Sequence, residues 1–328
     1  MRDPPPPEAR TAFAPSFGQR ALLTVDTEEE FDWSQPFDSN NRSLTHLPEL
    51  VRFQALCEEL GVVPLYLVDW PVATSQVAHK VLGPAIAAGR AEIGVQLHPW
   101  VNPPHEETVN EANSFAGNLP PALERDKFNR LRDAIAEGFG IVPVSYRAGR
   151  YGLGDDSAQM LIDGGIAMDT SVRTHFDYTA AGGPDYTRHP LHPYWIDAGQ
   201  RLLELPVTTT YWGMLRRQGA YLSRFAARVP RLLGLLARTG LLERIPLTPE
   251  GVGVEEAIRG IDMALDDGLP LLVFSFHSPS LAPGNTPYVR SKADVEALYD
   301  WWRRVYAYLA MREVAPTSIA SIGDAIVR

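Results

Sequence analysis

The sequence predicts an α/β fold: a (β/α) barrel, deformed and seven-stranded, filling residues 20–328. Three observations carry this expectation. Seven short apolar runs of strand length recur along the chain, stretches with helical spacing lie between them, and six of the seven runs lead to a polar or titratable side chain. Such alternation is the pattern of parallel strands joined by crossover helices. In barrels the strand ends and following loops build the active site, so these six side chains are expected to converge on one rim.

In chain order, the run 20–26 (RALLTVD) ends on Asp26, and 63–68 (VPLYLV) is followed by Asp69. The run 92–98 (EIGVQLH) ends on His98, 144–147 (VSYR) on Arg147 and 166–169 on Asp169. Then come 202–207 (LLELPV) and 271–277 (LLVFSFH), the latter apolar almost to His277, as in a strand buried on both faces. Helical stretches are expected at 47–60, 122–137, 155–163, 254–267 and 293–309, the last opened by the capping-box variant Ser291-Lys-Ala-Asp294.

With 45% apolar and 21% charged residues, the 328-residue chain can bury one large core. Its net charge of −10 argues against a nucleic-acid partner, which demands basic faces. The single cysteine, Cys57, sits in an apolar-periodic stretch and reads as a buried thiol. Residues 1–19, with four successive prolines, read as a disordered tail without the features of a secretory signal. No apolar run reaches the roughly 18 residues needed to cross a bilayer, so a cytoplasmic protein is expected. Residues 211–245 stand apart, with seven arginines against Glu243 alone and leucines between them. This segment reads as a basic amphipathic helical insertion, interrupted at Pro230. It is either a lid packed on the barrel or a contact for an anionic membrane surface or a phosphorylated sugar.

Four motifs carry chemistry. In Thr24-Val-Asp26-Thr-Glu28, the period of two of an extended chain points both carboxylates into one mouth, where one can hold a cation and the other act as base. Glu29 and Glu30 read as a solvated acidic turn or helix start. In Gln96-Leu-His98-Pro-Trp100, an imidazole at a strand end is a natural ligand for zinc and similar ions. In Arg147-Ala-Gly149-Arg150-Tyr151-Gly152, Arg147 can hold a catalytic carboxylate while the glycines admit a ligand close to the backbone. His277, leaving an apolar strand, suits a general acid or base.

The ordered motifs VDTEEEFDW, EIGVQLHPW, YRAGRYG and FSFHSPSL resemble the NodB-like polysaccharide deacetylases, in wording closest to the WalW-like bacterial branch, over residues 20–325. The resemblance implies a barrel of the deacetylase type that removes N- or O-acyl groups from carbohydrates with a divalent metal, zinc in this reading. It implies Asp26 as base, Arg147 as its orienting partner and His277 as acid, with Glu28 and His98 as metal ligands. Gln96, Trp100, Tyr151 and Asp169 would face the substrate. The family's paired histidines are absent: Gln96 and Asn102 stand at the related positions, which leaves the third ligand open among Gln96, Asn102 and His105. Two other readings remain open: a degenerate carbohydrate-binding barrel without metal, and a glycosidase using two carboxylates.

Overall fold

The computed structural model describes residues 1–32, 35–219, 221–222 and 232–327. Among these residues the strands are β1 (Ala12–Phe13), β2 (Arg20–Thr27), β3 (Leu65–Val68), β4 (Glu92–Leu97), β5 (Ser145–Ala148), β6 (Met168–Asp169), β7 (Tyr194–Trp195), β8 (Leu203–Glu204), β9 (Thr209–Trp212), β10 (Glu243–Pro246), β11 (Leu271–His277), β12 (Ala315–Thr317) and β13 (Ile326–Val327). Nine of these form one sheet, in the order β11-β2-β3-β4-β5-β6-β8-β7, with β12 beside the first half of β2. Every pairing from β11 to β8 is parallel, and only β7 joins antiparallel. The sheet curls into a deformed (β/α) barrel. Its gap is bridged by Thr208 N–H donating to Val273 O (3.1 Å) and Ser275 N–H donating to Leu247 O (3.2 Å).

The period-two alternation sorts each strand into an inner and an outer column. Leu22, Leu65, Leu67, Met168, Leu203, Leu271 and Val273 fill the interior, and Ile319 and Ile322 of the helix Ile319–Ala325 join them at the floor. Glu92, at the start of β4, caps that helix by accepting from the Ile319 and Ala320 amides. Ala21, Leu23, Val25, Tyr66, Ile93, Val95 and Leu97 point outward into the larger core beneath the helices. These include Leu50–Glu59, Pro121–Phe139, Val254–Asp266 and Lys292–Met311, the last opened by the reciprocal Ser291–Asp294 capping box. Higher up, the inner column turns polar: Leu22 gives way to Thr24 and Asp26, and Val273 to Ser275 and His277. The register sets His277 beside Asp26 and Gln96 beside Arg147.

All seven expected runs are strands of this sheet. The helix Gln76–Ala87 has no counterpart in the sequence reading, because Gly83 and Pro84 inside it argue against a helix. Residues 1–19, expected as a disordered tail, lie along the barrel: β1 pairs with β13, and Arg2 donates to Leu153 O (3.1 Å) and Asn118 Oδ1 (2.8 Å). The two ends of the segment 211–245 are not helical. Their β-branched and aromatic residues form the antiparallel ribbon β9–β10, with the helix Leu232–Arg238 between them. Arg224, Arg228 and Arg231, three of the seven arginines of that segment, fall outside the described residues. Among the described residues no helix is long and apolar enough to cross a membrane.

Candidate active site

Where the inner columns turn polar, a cavity of about 370 Å³ opens on the rim, lined among others by Asp26, Glu28, Gln96, His98, Arg147 and His277. At its base Arg147 reaches across the barrel. It forms an ion pair with Asp26 Oδ1 and donates to Ser275 Oγ (3.1 Å), Thr24 Oγ1 (2.9 Å), Thr170 O (2.9 Å) and Thr170 Oγ1 (3.1 Å). Only 1% of Arg147 is exposed. A guanidinium so buried needs both a counter-charge and acceptors for its donors, and inward-facing Thr24, Asp26 and Ser275 supply them. The pair fixes one oxygen of Asp26 and leaves Oδ2 toward the cavity.

Across the mouth, His277 Nε2 lies 3.8 Å from Asp26 Oδ2. Its Nδ1 contacts Glu250 Oε2 at 2.6 Å, and its amide donates to Glu250 Oε1 (3.2 Å), which also accepts from Ser280 Oγ. Burial works against the imidazolium, but the charges of Glu250 and Glu28, with the Glu250 hydrogen bond, outweigh it and raise His277 to about 10. This balance favours the charged ring, and Nε2 faces the space in front of Asp26. Glu250 is a residue that the sequence reading misses. It lies in the turn Thr248-Pro249-Glu250-Gly251 after β10, a strand hidden inside the segment read as helical.

The third group is built on His98. Glu29 Oε2 holds its Nδ1 at 2.9 Å, so that Nδ1 carries the proton and Nε2 presents a lone pair. Glu29 also accepts from Trp100 Nε1 (2.7 Å), whose ring stacks on His98 with centroids 4.3 Å apart. Asp69 stands behind, accepting from the Glu29 and Val72 amides. Burial, reinforced by Glu29, pushes Asp69 well above the usual carboxylate range. On the cavity side, Glu28 Oε2 lies 3.4 Å from His98 Nε2 and accepts from Gln96 Nε2 (3.0 Å). Burial, with help from Asp26 and Glu29 and against His277 and His98, raises Glu28 to about 8.

These donors fit a divalent cation. A lone pair and a carboxylate directed at one point are both satisfied only by a proton or a cation, and Gln96 Oε1 beside them is buried without a partner. Behind the ring, Glu29, Asp69 and His98 form a second buried group with ligand atoms within 4.8 Å of one another. Their carboxylates are already engaged by the Trp100 indole and backbone amides, and neither lines the cavity.

Of the residues singled out in the sequence, Asp26, Glu28, Gln96, His98, Trp100, Arg147, Tyr151 and His277 all line the cavity. Asp169 does not. It is buried beside Glu204 of β8 and takes a hydrogen bond from Ser171 Oγ (2.6 Å), because it follows inward-facing Met168 and so points to the outer face, in the row of Tyr146 and Val95. Among the open third ligands only Gln96 reaches the cavity. Asn102 donates to Pro103 O and Lys127 O, and His105 pairs with Arg42. The loop carrying Asn102 is clamped by buried Lys127, whose Nζ donates to Pro99 O, Asn102 O and Pro104 O and pairs with Glu107.

Glu29 and Glu30 are not a solvated turn. Glu29 is fully buried under His98, while Glu30 accepts from His46, Ser43 and Thr45. Burial opposes these bonds, but they bring Glu30 down to about 2. His46 in turn contacts Ser278 Oγ at 2.8 Å, and Ser278 accepts weakly from the Glu28 amide (3.4 Å). This serine–histidine–carboxylate chain has the order of a hydrolase triad, yet Ser278 is fully buried and off the cavity wall, so it braces the Glu28 backbone. Gly149 and Gly152 admit protein neighbours in place of a ligand. A Cβ at Gly149 would sit 2.5 Å from His98 Cδ2, and one at Gly152 2.8 Å from Phe115 Cα.

No protein-family profile matches the chain, and no curated protein matches it in sequence. Solved structures do match. A Mycobacterium smegmatis protein described as a polysaccharide deacetylase aligns over 97% of this chain and 98% of its own, with 18% identity and a TM-score of 0.50. Puue allantoinase aligns over 98% and 93%, with 16% identity and a TM-score of 0.51. A 4-alpha-glucanotransferase from Thermococcus litoralis aligns over 94% of this chain and 40% of its own, with 13% identity and a TM-score of 0.52. At such identities the likeness establishes the fold, and that fold is the deformed (β/α) barrel of the polysaccharide deacetylases.

Proposed function

We propose that the protein is a cytoplasmic, metal-dependent hydrolase of the NodB-like type, near its WalW-like branch, that removes an N- or O-acyl group from a carbohydrate. The observation that carries this reading is the facing of the Arg147-held carboxylate of Asp26 by the imidazole of His277, 3.8 Å apart and next to a cation-shaped group of donors. Asp26 Oδ2 takes a proton from the attacking water, and Arg147 keeps that carboxylate aimed. His277 then delivers its Nε2 proton to the departing amine or alkoxide as the C–N or C–O bond breaks, and Glu250 stabilises the charged ring until that step. Glu28, His98 through Nε2 and Gln96 through Oε1 would hold a divalent metal, zinc in this proposal, with Glu29 and Asp69 orienting the imidazole. Such an ion supplies Lewis acidity for the acyl carbonyl and for water.

Acetate release from N-acetylated chito-oligosaccharides and O-acetylated xylan tests the reading. Steady release by the wild type that falls at least ~100-fold in Asp26→Asn supports it. Release of new reducing ends without acetate points to a glycosidase, and unchanged release in Asp26→Asn removes Asp26 as base.

A further inference from the structure

The cavity wall also carries positive charge for which the proposed reaction has no use. Arg150 and Arg173 both line the cavity, alongside Tyr151 and Tyr178. Arg150 is partnered: it donates to Ser114 Oγ (2.6 Å), pairs with Glu111 at 3.5 Å and stacks on Phe115. Arg173 is not. Among the described residues no carboxylate lies within 4 Å of its guanidinium. Its Nε is buried without an acceptor, and its one hydrogen bond, from Nη1 to the Tyr178 hydroxyl, is a long 3.4 Å.

The guanidinium is nevertheless held in place. It lies 3.9 Å from the centroid of Phe176 and 5.3 Å from that of Tyr151, while Arg244 covers Phe176 at 3.8 Å. Two guanidinia share one ring without a counter-charge between them. The backbone here is also strained, since Arg150 (φ 54°), Tyr151 (φ 61°) and His175 (φ 72°) all adopt left-handed conformations unfavourable to side chains of their kind. The acids of the cavity do not balance this wall: Asp26 is taken by Arg147, and Glu28 by Gln96 and His98. A planar, immobilised guanidinium with spare donors matches a carboxylate or a phosphate.

We propose that the cavity selects an acylated sugar bearing an oxyanion, which Arg173 receives on its terminal Nη groups and Arg150 flanks. This rests on the deacylase reading for the sugar and deepens it by naming the substrate's charge.

Titration calorimetry of the full chain with N-acetylglucosamine, its 6-phosphate and N-acetylmuramic acid tests the proposal without requiring turnover. At least one anionic sugar is expected to bind about 10- to 100-fold more tightly than the neutral one. That ratio should fall to near one in Arg173→Gln and be partly retained in Arg173→Lys. Preference for the phosphorylated or the carboxylated sugar identifies the source of the oxyanion. A melting temperature of Arg173→Gln at or above wild type is expected as well, because the change removes a charge without a partner.

Equal binding of all three sugars, binding of none, an anionic preference that survives Arg173→Gln, or a melting temperature lowered by several degrees would each overturn the proposal. Anionic preference without acetate release would refute the hydrolase and leave the oxyanion site standing. Acetate release without anionic preference would do the reverse.

Discussion

Replacing Arg147 by Met removes five hydrogen bonds at once, one of them to a carboxylate that is 2% exposed. The aliphatic stem keeps its packing, so the loss is electrostatic: Asp26 stays buried without its guanidinium partner and with only His277, 3.8 Å away, to face it. Breaking a buried pair from one side costs about 3–5 kcal/mol. Asp26→Asn breaks it from the other side, yet Ser275, Thr24 and Thr170 still accept from the guanidinium, so the smaller half of that range is expected. With both changes no charge is stranded, and the double variant should recover about 1–3 kcal/mol relative to the sum of the single effects. Urea unfolding followed by circular dichroism at pH 7 gives all three values. If Arg147→Met costs under about 1 kcal/mol, or if the two effects simply add, Arg147 does not hold Asp26 in the way described.

Two further outcomes concern the other groups of the cavity. Glu250→Gln should lower the His277 pKa and move the alkaline limb of the pH–rate profile to lower pH. His277 is raised from 6.5 to about 10, so its stabilising contribution is complete below 6.5 and lost as pH climbs through 10. Melting temperatures across that window should fall less steeply in the variant, and an unmoved limb would separate Glu250 from the acid. Gly149→Ala places a methyl 2.5 Å from His98 Cδ2 and 2.6 Å from Leu97 O, which displaces the imidazole. Cobalt titrated into the variant should bind at least ~10-fold more weakly than into wild type, and unchanged affinity would exclude His98 as a ligand.

Much of this was legible in the sequence because strand periodicity is a local signal. Apolar runs ending in Asp26, His98, Arg147 and His277 announce both the strand and the direction its last side chain faces. What stayed hidden depends on contacts between distant segments. Glu250 belongs to a turn whose chemistry exists only because β10 folds back on β9 and sets it against His277. Glu29 reads as solvated until Trp100 and His98 close over it. Asp169 was read as facing substrate because it ends an apolar run, but its neighbour Met168 takes the inward position, so alternation turns Asp169 to the outer face. Arg173 carries no motif at all, and its meaning comes from the missing carboxylate in three dimensions.

The most direct test of a metal-dependent site is the metal content of the full chain, purified without chelators or an affinity tag, beside His98→Ala and Glu28→Gln. About one equivalent of zinc or a similar divalent ion per wild-type chain is expected, with most of it lost in each variant. No metal in the wild type and no uptake on adding zinc, cobalt, nickel or manganese would contradict the hydrolase and leave a barrel that only binds its carbohydrate.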